Sequence, residues 1–246
     1  MRKILFILYQ PYKWLIFIPF FIISTLFFGS LAAVLSFVVK PRIASFWGGA
    51  VWSRLCGYMT PMFVKVIGRE NLDKKESYVI VSNHQSHFDI FVLYGWLGID
   101  FKWVMKQELR RVPALGVGCE KIGHIFIDRS NKKSALASIN AAREKIVNGT
   151  SVIFFPEGTR SEDGNLGEFK KGAFKFAIDL GIPILPITIV GTKNILPSNT
   201  LNLFPGKVKM IINKSIDIDG YNANNIQELM DKVRDIFISD LNSDSQ

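Results

Sequence analysis

No aspartate or glutamate occurs before Glu70. The opening 69 residues therefore carry positive charge alone, from Arg2, Lys3, Lys13, Lys40, Arg42, Arg54, Lys65 and Arg69, and they hold eight of the nine net positive charges in the chain. Cysteine is nearly missing as well: Cys56 and Cys119 are the only two in 246 residues. They make no disulfide framework and fit a reducing compartment. Histidine occurs three times, which leaves few ligands for a hydrolytic metal centre. The G-x-S-x-G elbow of the serine hydrolases is absent. With neither an internal repeat nor a dividing linker, a chain of this length is expected to bury one catalytic-sized core.

What the acid-free segment does contain is apolar sequence. Trp14 to Val39, WLIFIPFFIISTLFFGSLAAVLSFVV, is uncharged throughout. As one helix it would be about 39 Å long against a hydrocarbon core of about 30 Å. Beyond the Lys40-Pro41-Arg42 break, Trp47, Trp52 and Arg54 suit the boundary between headgroups and acyl chains. Each flanking Lys or Arg adds about 1 kcal/mol of attraction to anionic lipid. A nucleic-acid arm would be basic without being so greasy, so membrane lipids rather than nucleic acid are the expected partners. A secretory signal would start at Arg2 and Lys3 and end near Ser30-Leu31-Ala32, but Lys13 interrupts its apolar run and the run continues past the cut. Residues 1–64 are accordingly read as a helical membrane-embedding segment. The distribution of Lys and Arg around it places residues 65–246 on the cytoplasmic side of an inner or cytoplasmic membrane. Whether the run spans the bilayer or re-enters within one leaflet is left open by hydropathy.

Past Glu70, short β-rich runs alternate with helical patterns, which predicts an α/β domain with a mixed, largely parallel sheet flanked by helices. Tyr78–Ser82, His124–Asp128, Ser151–Phe155, Ile184–Val190 and Lys207–Ile212 read as strands, with Pro186 hinting at an edge or a bulge. Ser86–Leu97, Ser130–Asn148, Phe169–Leu180 and a segment carrying Ile226, Leu229, Met230, Val233 and Phe237 read as helices.

Polar islands fall at the strand ends, where side chains from different segments converge. In VSNHQSHFDIF, His84 lies five residues before Asp89. Asp89 can be read as a helix cap in a Ser86-x-x-Asp89 capping box. It can also be the carboxylate partner of His84, if His84 sits in the loop before the helix and folds back, fixing the ring's tautomer and stabilising the imidazolium. His87 is read as a bystander. A metal site of His84, His87 and Asp89 would need further ligands, and only His124 remains. The second island, IFFPEGTRSEDG, offers Gly158 for close backbone approach and Arg160 as a planar fork for phosphate. The third, GHIFIDRS, brings Arg129 to a strand end, either toward the same anion or as a surface pair with Asp128.

NHQSHFD, GHIFIDR and FPEGTRS, in this order and followed by IPILPITIV, resemble the blocks of the glycerolipid acyltransferases, as does KQELRRVPALG between the first two. The resemblance covers about residues 65–215 and is strongest toward the lysophosphatidic acid branch. It implies transfer of a fatty acyl group from an acyl-CoA or acyl-carrier-protein thioester to the sn-2 hydroxyl of lysophosphatidic acid, with no cofactor and no metal. It further implies that His84 is the general base and Asp89 its orienting partner. Lys106, Arg129, Glu157, Gly158, Thr159 and Arg160 would bind the acceptor, with Lys106 and Arg160 on its phosphate. Backbone N–H groups near Gly158 are the expected donors to a tetrahedral oxyanion. Two alternatives remain: an acyltransferase of the same fold for another lysolipid, and a non-catalytic lipid-binding protein of the membrane surface.

Overall fold

The computed structural model describes residues 2–128, 141, 143, 146, 149–161 and 164–243. Arg129 and most of the expected helix over 130–148 lie outside these residues. Seven strands form one sheet: β1 (Met62–Ile67), β2 (Val79–Ser82), β3 (Asp100–Lys106), β4 (Ile125–Ile127), β5 (Thr150–Phe154), β6 (Ile184–Val190) and β7 (Gly206–Ile212). Their spatial order is β1-β7-β6-β2-β5-β3-β4. Every neighbouring pair is parallel except β6 and β7, so β2 to β6 run one way and β1 and β7 the other. This is the mixed, mostly parallel sheet expected from the pattern.

The central strands are continuous apolar runs because both faces are covered. Alternation divides their side chains between two cores. Ile80, Ile153, Leu185 and Ile187 pack with the Phe88–Trp96 helix on one face. Val79, Val81, Val152 and Ile184 pack on the other, with the Gly172–Leu180 and Ile226–Ser243 helices. Pro186 is not at an edge, since β6 lies between β2 and β7. Its carbonyl accepts from Asn213 N–H at 3.0 Å, just beyond the end of β7. The nitrogen of the same residue faces the same way, so the missing N–H costs a rung only where the antiparallel ladder is already ending.

The uncharged run lies almost wholly in one long helix, as expected, and that helix pairs with the segment after it in a helical hairpin. A first arm runs from Arg2 to Leu35 and a second from Pro41 to Met59. The first widens to a π-turn over Lys13–Phe17, where Ile18 N–H reaches back to Lys13 O. Pro19 follows at once, and it lacks the N–H that would have bonded Leu15 O. The arms meet closely at Gly48, where a Cβ would lie 2.4 Å from that of Ala32. Within the first arm, Phe6–Leu35 is long and apolar enough to cross a membrane. Tyr9 and Tyr12 donate to Thr60 O and Met59 O, closing the open end of the hairpin.

One side of the hairpin packs on the sheet domain. Phe17 and Cys56 share a core with Phe88, Val92 and Leu93, and β1 runs across residues 64 and 65. Trp52 and Arg54, expected at the lipid boundary, turn inward instead. Trp52 lies against Phe21 and Phe91, and Arg54 Nε donates to Gly95 O at 2.6 Å. Trp47 remains half exposed.

Candidate active site

The five co-directional strands deliver their C-terminal ends to one edge. His84 and Asp89 follow β2, Lys106 ends β3, Glu157 to Arg160 follow β5, and Thr192 follows β6. Ligands of open α/β sheets bind at this edge. Asn83 makes the turn out of β2: its side-chain amide donates to Ile189 O at 2.9 Å and accepts Ile189 N–H at 2.7 Å, standing in for one more backbone rung.

His84 is held by four contacts. Its N–H donates to Glu157 Oε1 at 2.8 Å, and its carbonyl accepts Ser161 N–H at 2.8 Å. The ring lies flat on Phe155, with centroids 3.8 Å apart and planes 11° from parallel. Nδ1 donates to Asp89 Oδ2 at 2.8 Å, which leaves Nε2 as the basic nitrogen. Asp89 is fully buried. Its Oδ2 also accepts the N–H groups of Gln85 at 2.7 Å and Ser86 at 2.8 Å, while Oδ1 accepts the hydroxyl of Thr192. The two readings of Asp89 are therefore compatible in one geometry: the carboxylate closes the helix start at Ser86 and, with the same oxygen, holds the imidazole.

Glu157 is buried, and both of its oxygens are engaged, Oε1 with His84 N–H and Oε2 with Gly167 N–H at 2.8 Å. Burial raises its pKa above the ordinary carboxylate value, and the two N–H donors oppose that rise. Its geometry is that of a clamp between the His84 loop and the loop after β5. Gly158 has φ +75°, a conformation that favours glycine, and the Lys170 side chain lies over it, with Nζ 2.6 Å from where a Cβ would stand. The N–H of Gly158 donates to Phe155 O at 3.0 Å. The N–H groups of Thr159 and Arg160 carry no hydrogen bond among the described residues.

Arg160 is half exposed and Thr159 exposed. The charge of Arg160 reaches the island after β2: the His87 pKa is lowered first by desolvation and next by Arg160. Lys106 is exposed at the end of β3, and β5 lies between β3 and β2, so it stands two strand spacings from β2, about 10 Å. Neither cation forms an ion pair among the described residues. A cavity of about 560 Å³ opens beside Glu157, lined by Thr159, Arg160, Asn165, Leu166 and Lys170 among others. His124 takes no part. It is buried between Tyr94 Oη at 3.1 Å and the N–H of Trp103 at 3.3 Å. Among the described residues, no three His, Cys, Asp or Glu side chains are grouped to hold a metal.

Three residues of this edge carried no mark in the sequence. Thr192 meets Asp89 from 103 positions away, Phe155 reads as the end of a strand, and Lys170 falls in the segment read only as a helix. The signal available for Thr192 was its place after β6, the same rule that singles out the other islands.

The α/β sheet thus carries a partly exposed, carboxylate-held imidazole at its carboxyl edge, an arrangement suited to proton transfer, and comparison with known proteins gives the class. Residues 63–190 match the acyltransferase family model. The chain is 33% identical over 244 residues to a 1-acyl-sn-glycerol-3-phosphate acyltransferase of Chlamydomonas reinhardtii, covering 98% of this chain and 70% of that one. It is 40% identical over 151 residues to a chloroplastic enzyme of the same name from Brassica napus, covering 61% of this chain and 44% of the plant protein. The crystal structure of the 1-acyl-sn-glycerophosphate (LPA) acyltransferase PlsC from Thermotoga maritima superposes with a TM-score of 0.79 at 29% identity, covering 96% of this chain and 95% of that one. This chain belongs to the acyltransferase family.

Proposed function

We propose that the chain transfers a fatty acyl group from an acyl-CoA or acyl-carrier-protein thioester to the sn-2 hydroxyl of lysophosphatidic acid, giving phosphatidic acid. The observation that carries the reading is the His84–Asp89 contact of 2.8 Å at the carboxyl edge of the sheet, with Lys106 and Arg160, which make no ion pair among the described residues, on neighbouring strand ends. Two of the relatives are named for this acceptor.

The chemistry follows from these groups. With Nδ1–H committed to Asp89, Nε2 takes the proton of the sn-2 hydroxyl as its oxygen attacks the thioester carbonyl. The tetrahedral oxyanion is held by the open N–H groups of Thr159 and Arg160. The C–S bond then breaks, and the imidazolium returns its proton to the departing thiolate. No acyl-enzyme forms. Arg160, Lys170 and Lys106 hold the phosphate, which fixes the hydroxyl near His84 and makes the attack effectively unimolecular. The family resemblance of GHIFIDR assigns Arg129 to the same anion. Glu157 serves the acceptor indirectly by fixing His84.

The hairpin keeps this edge at the surface of the cytoplasmic leaflet, where the lysolipid and its product reside. Packing argues against a bilayer crossing. Gly29 lies against Ala114 and Gly118 of the sheet domain, near the hairpin tip, so a crossing would pull that domain into hydrocarbon. The reading is tested by assaying the purified chain on vesicles against a panel of lysolipids, with both thioester donors. Phosphatidic acid as the main product is expected. Preference for an amine-bearing lysolipid would move the chain to the first alternative, and binding without transfer to the second.

A further inference from the structure

The loop that follows Lys106 is exposed throughout residues 106–113, and its apolar side chains, with Val117 just beyond, are partly open to solvent. Leu109 and Val112 are each 37% exposed and Val117 52%. The loop is firmly built: at Gly116 a Cβ would lie 2.1 Å from Arg110 O, so the backbone doubles back on itself there. Arg110 is paired with Glu120 across it.

Three contacts make this surface continuous with the outer face of the hairpin. The Leu115–Lys121 helix packs at Gly118 against the backbone of Gly29, where a Cβ on Gly118 would lie 2.5 Å from Gly29 O. Ile122 is buried with Ala32 and Ala44 between the two arms. Lys121 Nζ sits 5.0 Å from the Phe37 ring. Phe37, Val38 and Val34 are 74%, 74% and 63% exposed on the hairpin beside it. Gly116 and Gly118 are buried and Val117 is exposed, on the same helix face as Lys121 four residues on. Around these apolar side chains stand Lys106, Arg110, Arg111 and Lys121 against Glu108 and Glu120, an excess of positive charge suited to anionic headgroups.

We propose that residues 107–121 are a second lipid-inserting element, which enters the same anionic leaflet as the hairpin. Leu109, Val112 and Val117 reach the acyl boundary, and Arg111 and Lys121 lie among the headgroups. The inference rests on the membrane reading of the hairpin and extends it to the sheet domain. Its consequence is positional. The loop begins at Lys106, so its insertion sets that ammonium at headgroup depth and presents the β3 end of the catalytic edge to a phosphate still in the leaflet.

The test uses the full chain with Cys119→Ala, Cys56 being buried, and a nitrobenzoxadiazole label at Val117→Cys. Parallel labels at Phe27→Cys on the hairpin and Lys232→Cys on the C-terminal helix calibrate it. The proteins are bound to phosphatidylcholine vesicles containing a minority of phosphatidylglycerol, with and without brominated acyl chains. The expected result is blue-shifted, bromine-quenched emission at 117 and at 27, with 232 unaffected. Quenching at 27 with 117 behaving like 232 would overturn the proposal while leaving the hairpin anchored. Absence of quenching at both would overturn the proposal together with the membrane reading. In unlabelled protein, Leu109→Glu with Val112→Glu is expected to lower vesicle partition several-fold at unchanged thermal stability, and unchanged partition would also refute it.

Discussion

Replacing Asp89 by Asn separates the two duties of this side chain. The amide oxygen can still accept from His84 Nδ1 and from the N–H groups of Gln85 and Ser86, all of which now meet one carboxylate oxygen. The amide nitrogen falls on the side of Thr192, whose hydroxyl can rotate to accept instead of donate. Fold, helix cap and tautomer should therefore survive, and what is lost is the negative charge facing the imidazolium. With the two charges roughly 4 Å apart and an effective dielectric of about 20, that attraction is about 4 kcal/mol. At about 1.4 kcal/mol per factor of ten, kcat should fall about a thousandfold. The assay is acyl transfer at saturating donor and acceptor, beside thermal unfolding of the same preparation. A folded D89N enzyme within tenfold of the parent would refute the reasoning and reduce Asp89 to a cap.

Other consequences follow from the same edge. Arg160→Ala should raise KM for the phosphorylated acceptor about 10- to 100-fold, the worth of one charge-assisted contact of about 1.5–3 kcal/mol, while kcat changes little; an unchanged KM would remove Arg160 from the phosphate. Phe155→Ala takes away the surface on which the His84 ring lies, a stack worth about 0.5–1.5 kcal/mol, and should lower kcat up to about tenfold at constant KM. Equal kcat would mean that Asp89 alone orients the ring. His124 is buried neutral, its pKa pushed down to about 3 by burial and then by Lys102. An unfolded histidine titrates at about 6.5, so the unfolded chain binds the extra proton first and stability should fall as pH drops from about 6.5 toward 3. His124→Asn should make the melting temperature less dependent on pH in that window, and an identical slope would show that other groups set it.

Much of this edge was readable because polar residues sit where apolar runs stop. His84, Asp89 and Glu157 to Arg160 stand just beyond strand ends, and the continuous apolar runs of β2 and β5 mark where those ends fall, whereas Lys106 was reached only through the family resemblance. Less was readable where a tertiary contact reverses a local signal. β3 escaped detection because DFKWVMK places Lys102 in its middle, yet that lysine is buried and paired with Asp100 at 3.2 Å. Pro186 suggested an edge, but the ladder on its proline side was ending anyway. Trp52 and Arg54 have the composition of a lipid boundary, and only packing against Phe91 and Gly95 shows that they serve the domain. Thr192 stands just past the end of β6, but its partner is visible only in three dimensions, since nothing local ties a threonine to an aspartate 103 residues earlier. Hydropathy could not decide how the apolar segment meets a bilayer, whereas the Tyr12–Met59 contact shows that its helix is one arm of a hairpin.

The central claim is that the Nε2 of His84 accepts the acceptor's proton, and His84→Ala tests it most directly. Phosphatidic acid formation from lysophosphatidic acid should drop by about 100- to 10,000-fold, the usual worth of a positioned base, while the unfolding temperature and vesicle binding stay near those of the parent. A folded, vesicle-bound H84A protein that keeps a substantial fraction of the parent's turnover would contradict the account.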